Sequence, residues 1–167
     1  MKKRIDSGLL GMVGPFTKIA RAMSGNFGVE VIPSGTKVAT DGERIYIPFT
    51  SDDLSEVAQQ KLNGHLDHEV AHVIEERVHR DAGRTTPLEV LRGLARARES
   101  RAAMMFNLFD DVRIEHKYGQ MYPGMGENLK VKNREVVSVF KKIPMERRGG
   151  TIAIGIVIVV PAAYFVQ

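Results

Sequence analysis

The chain has 167 residues, 43% of them apolar and 26% charged, enough for one domain with a real core and too few for two, and not the make-up of a disordered polymer. It has no cysteine, which excludes disulfides, thiolate catalysis and any cysteine-bearing zinc knuckle. The net charge of +4 invites a nucleic-acid reading, but the basic clusters are thin. Lys2-Lys3-Arg4 is a terminus, and Arg92, Arg96, Arg98 and Arg101 are interleaved with Glu99. No helix-turn-helix, zinc-finger or RNP pattern accompanies them, so solubility is the better explanation and no nucleic-acid partner is expected.

In chain order, the basic start and the short apolar run ended by Pro15 make a poor secretory signal, so export by that route is not expected. Pro15 as first residue and Ser24-Gly25 as stop predict a short helix over 15–23, with Phe16, Ile19, Ala20 and Met23 inward. Val29-Glu30-Val31-Ile32 and Ile45-Tyr46-Ile47-Pro48 read as strands separated by turn signals, predicting a small antiparallel sheet. Thr50 with Asp53 resembles a capping box, and a proline-free helix is predicted over 53–80 with Gly64 its one weak point.

That helix carries His68-Glu69-Val70-Ala71-His72. Histidines four apart leave one helical face a turn apart and can grip one tetrahedral cation. Their apolar surroundings, Leu62, Leu66, Val70, Val73 and Ile74, bury the helix, and buried histidines need partners. The pattern points to zinc held by His68 and His72, with Glu69 as the general base that takes a proton from a zinc-activated water. His65, three before His68, would close the site if it became a fourth ligand; His79, seven beyond His72, reads as a surface or supporting residue.

Thr86-Pro87-Leu88-Glu89 starts a second long helix, with a break near Glu99-Ser100 and an end at Gly119. On it Asn107, Asp111 and Glu115 share one face at four-residue steps, and Asp110 points about a hundred degrees away. Asp111 is the expected third ligand, Glu115 would orient a histidine through its other N–H, and Asn107 would support the same cluster. Asp110 suits an ordinary ion pair with Arg113. Tyr122-Pro123-Gly124-Met125-Gly126 reads as a turn, and 129–143 as a third helix.

The domain is therefore expected over 1–150, followed by an almost wholly apolar segment over 151–167. Its length, its Ile and Val content and Pro161 favour a buried strand or a surface for a protein partner over a membrane anchor.

Gly64 to Val73, Asn107 to Glu115 and Tyr122-Pro123-Gly124 together resemble the peptidase-like region of the cobaltochelatase CobT-type family and its phage-encoded relatives, and more distantly other zincin-type metallopeptidases. Ala39-Thr40-Asp41-Gly42 leading into Ile45-Tyr46-Ile47-Pro48 resembles the strand ahead of that family's motif. The likeness covers roughly residues 28–130; Phe109-Asp110 replaces the family's Leu-Glu, and the acidic linker and von Willebrand-type domain of full-length relatives have no counterpart here. It implies a zincin-like α+β fold, with the strand near Ile45 to Ile47 able to pair with an extended substrate, and it matches Asp111 to the family's acidic position. It also implies a phage-encoded peptidase in the host cytoplasm, acting on a protein or peptide. The competing reading is a zinc-stabilised module without catalysis, or a chelatase-like accessory protein, which a fourth protein ligand such as His65 would favour.

Overall fold

The computed structural model describes residues 7–34, 38–48 and 55–141, an α+β arrangement of five helices and one three-stranded sheet. Residues 151–167 and Lys2-Lys3-Arg4 lie outside the described residues, as do Thr50 and Asp53. No helix among the described residues is long and apolar enough to cross a membrane.

Helix α1 (Ser7–Ser24) starts two turns earlier than Pro15 suggests, and Pro15 lies in its interior. A proline there gives up the hydrogen bond to the Gly11 carbonyl, yet the helix continues because Phe16 and Ala20 are buried in the core beyond it.

Strands β1 (Glu30–Pro33), β2 (Ala39–Thr40) and β3 (Arg44–Ile47) form a sheet in the order β1-β3-β2. It is mixed, not antiparallel as the sequence suggested: β1 and β3 run parallel, with Val31 opposite Ile45, and β2 alone is antiparallel to β3. The cause is the tight turn between β2 and β3. The Asp41 carboxylate accepts from the backbone N–H of Glu43 and Arg44 and from the Tyr46 hydroxyl, and Gly42 supplies a φ of 92°. Reversing the chain there makes β3 antiparallel to β2, which leaves it parallel to β1. Val31 N–H bonds to Thr17 Oγ1 of α1, so β1 is covered, and β2 keeps an edge on which no described strand pairs.

Helix α2 (Glu56–Asp81) begins at Ser55, whose hydroxyl accepts from Ala58 N–H, so Ser55 caps it in place of the Thr50 and Asp53 pattern. It packs against every other helix and against β2 and β3, so apolar Leu66, Val70 and Val73 and acidic Asp67, Glu69, Glu75 and Glu76 are buried alike. Gly64 marks the crossing with α5, since a Cβ there would stand 2.4 Å from the Asn128 carbonyl oxygen.

Helix α3 (Pro87–Arg96) has the expected capping box, Thr86 and Glu89 each bonding the other's backbone N–H. The break falls at Ala97 to Glu99, with Arg98 at a φ of 60°. Helix α4 (Ser100–Met121) then runs through Gly119 and stops at Tyr122, which is extended. Pro123 causes this stop, because proline drives the residue before it out of the helical region. Pro123 also opens α5 (Pro123–Lys141), so the expected turn is reduced to Tyr122 and Gly124 to Gly126 are already helical. Gly126 is what lets the two helices approach, since a Cβ there would lie 2.7 Å from the Gly119 carbonyl oxygen.

Candidate metal centre

On α2, His68 and His72 project one turn apart with ring centroids 4.8 Å apart and planes at 88°. Helix α4 lies alongside and brings Asp111 to them: its Oδ1 is 3.1 Å from His72 Nε2 and 3.7 Å from His68 Nε2. One donor atom from each of the three lies within 4.8 Å of the others. Four ligands about 2.05 Å from a tetrahedral zinc stand roughly 3.3 Å from one another, so the measured separations fit a divalent cation with small adjustments. Two imidazoles and a carboxylate are also the donor types zinc prefers. Among the described residues the group comprises these three; His65 is not part of it.

The ligands are themselves held. His68 Nδ1 meets Glu115 Oε1 at 2.8 Å, and Glu115, 5% exposed, also accepts from Lys132 Nζ at Oε1 and from Asn133 Nδ2 at Oε2. Burial pushes the Glu115 carboxyl up, but the hydrogen bond from His68 and the charge of Lys132 outweigh it and hold it well below the usual carboxylate range. An ionised Glu115 accepts a hydrogen bond from His68 Nδ1–H, which leaves Nε2 as the bare nitrogen towards Asp111. Lys132 Nζ, 3.0 Å from that Nδ1, is then a second donor to the same carboxylate, not a partner of the ring. Asn107 Nδ2 donates to Asp111 Oδ2 at 3.1 Å.

His72 is pulled two ways. Burial lowers its pKa, but the Asp111 hydrogen bond and the charges of Asp111, Glu69 and Asp110 raise it overall. A site that favours a positive charge on His72 in this way is one suited to a cation.

The trio opens on a cleft of about 230 Å³ whose lining includes Glu69, Glu76, Ala39 and Thr40 of β2, and Pro87, Leu88 and Leu91 of α3. Glu76 Oε1 accepts from Leu88 N–H at 2.6 Å and so ties α3 to α2 beside the cleft. The strand facing this space is β2. Ile45 to Ile47, expected from the resemblance to pair with substrate, belong to β3, which is central and has both edges taken.

Asp111, Glu115 and Asn107 therefore all reach the histidines or one another, as their four-residue spacing on α4 suggested. Spacing did not reveal Lys132 and Asn133, which come from α5, nor the second aspect of Asp110. Asp110 makes the anticipated pair with Arg113 through Oδ1, at 2.6 Å, and turns Oδ2 towards His72. The polar residues Lys132-Asn133 on the apolar face that carries Met125 and Leu129 were the available signal, since both are buried. His79 bonds the Thr85 carbonyl oxygen and approaches Glu75, tying down the end of α2.

No protein-family model, no curated protein and no solved structure matches this chain.

Proposed function

We propose that this chain is a zinc-dependent peptidase, with His68, His72 and Asp111 as the metal ligands and Glu69 as the general base. The observation that carries the reading is the convergence of those three donors at the wall of a cleft that Glu69 also lines. A zinc ion held there supplies Lewis acidity, lowering the pKa of a water and polarising a carbonyl.

The chain's own residues do the rest. Glu69, adjacent in sequence to the first ligand, accepts a proton from the attacking water and delivers it to the departing amine nitrogen. Glu115 and its partners Lys132 and Asn133 fix the ring of His68. The edge of β2 on which no described strand pairs would offer backbone N–H and C=O groups to an extended peptide, a common mode of peptide recognition. The resemblance to the peptidase-like region of the CobT-type family supports the same assignment.

The test is paired measurement of zinc content and peptide cleavage for the parent and for Glu69→Gln. The variant should keep its zinc and lose at least about 100-fold in cleavage, the scale of a general base. A Glu69→Gln chain that cleaves as fast as the parent removes Glu69 from the mechanism.

A further inference from the structure

Each ligand imidazole has a second nitrogen, and the group facing it decides which nitrogen carries the proton. For His68 that group is Glu115. For His72 it is Asp110, whose Oδ2 lies 3.7 Å from Nδ1. This oxygen is the one buried side-chain polar atom without a hydrogen-bond partner among the described residues, in a side chain only 6% exposed. Its sister Oδ1 accepts from Nε and Nη2 of Arg113 at 3.1 and 2.6 Å. Arg113 Nη1 in turn donates to Glu75 at 2.6 Å, and Glu75 is fixed from its other oxygen by Lys117 and Tyr118.

We infer that Asp110 is a positioning residue for His72: its free oxygen accepts the Nδ1 proton and so selects the tautomer whose bare Nε2 faces the metal, while Arg113 and Glu75 hold the carboxylate on target. The inference rests on the metal reading above. An exposed ion pair between residues three apart on a helix would leave the second carboxylate oxygen to water. Here one oxygen is buried and aimed at an imidazole, and roughly 1 Å of movement brings the pair to hydrogen-bonding distance. Metal binding supplies the reason for that movement, because it reserves Nε2 and leaves Nδ1 as the only N–H of the ring.

Asp110→Asn tests this without removing bulk. The Asn carbonyl can still accept from Arg113, but its amide places a donor where Oδ2 stood. That donor favours an unprotonated Nδ1, and hence a proton on the metal-facing Nε2. The probe is zinc alone, in competition with a chromophoric chelator. The variant should bind zinc 10- to 100-fold more weakly, the range for loss of a ligand's supporting group, while its melting temperature in EDTA stays close to the parent's. Arg113→Met should weaken zinc binding in the parent background and add little in the Asp110→Asn background, since both act through one carboxylate.

Zinc affinity within twofold of the parent for Asp110→Asn, or an Arg113→Met effect equal in both backgrounds, overturns the inference and leaves the metal reading standing. A parent chain that takes up no zinc overturns the metal reading itself.

Discussion

Gly64→Ala tests the link between the helix crossing and the metal centre. A Cβ at this position would stand 2.4 Å from the Asn128 carbonyl oxygen and 2.9 Å from Lys132 Cβ. The first distance is roughly 1 Å shorter than a comfortable C···O contact. The obstacle is backbone within α5, so the helix as a whole must give way. Alanine gains about 1 kcal/mol over glycine in a helix interior, whereas overpacking a close-packed contact costs about 1–3 kcal/mol. Displacing α5 also loosens Lys132 and Asn133 from buried Glu115. The expected net loss is about 1–2 kcal/mol, which lowers the melting temperature by roughly 2–8 °C in a chain of this size. Gly93→Ala on α3 is the control: the position is exposed and a Cβ there meets nothing within 4 Å, so stability should rise by up to about 1 kcal/mol. Far-UV circular-dichroism melts of both variants in EDTA read the two signs. A Gly64→Ala chain that melts above the parent refutes the crossing as described.

Glu75 gives a prediction in pH. Burial pushes its carboxyl up, but hydrogen bonds from Lys117, Tyr118 and Arg113 outweigh this and bring it from 4.5 down to about 2. A depressed carboxylate stabilises the fold fully above its unfolded pKa, and that contribution fades as pH falls from 4.5 towards 2. Urea unfolding should therefore show Glu75→Gln well below the parent at pH 7 and the gap closing by about pH 2.5; a gap that does not change with pH contradicts the assignment. Glu115→Gln leaves Lys132, whose side chain is 10% exposed, without its counter-charge, and should cost roughly 3 kcal/mol. Adding Lys132→Met should recover part of that loss, and a double variant no better than Glu115→Gln alone would deny the pairing.

The sequence carried those parts of the fold that depend on local spacing. A turn of helix separates His68 from His72 and again Asp111 from Glu115, so each pair's shared face could be read directly. The capping box at Thr86 and the break near Glu99 are likewise local chemistry. The sheet was misread because β2 has two residues, too few to show any alternation, and it is this strand that turns the other two parallel. Pro15 looks the same at the start of a helix as in its third turn; burial of Phe16 and Ala20, a tertiary fact, decides. Gly119 reads as a stop only if Pro123 is overlooked. Lys132, Asn133 and the second oxygen of Asp110 depend on how α4 and α5 are rotated against α2, which no spacing within one helix encodes.

In the proposed site one divalent cation joins α2 to α4. Crystals grown with zinc and measured at its absorption edge would locate the ion by its anomalous signal. A single strong peak about 2 Å from an imidazole nitrogen of His68, one of His72 and a carboxylate oxygen of Asp111 is the predicted result; a peak elsewhere, or none near the imidazole pair, would contradict it.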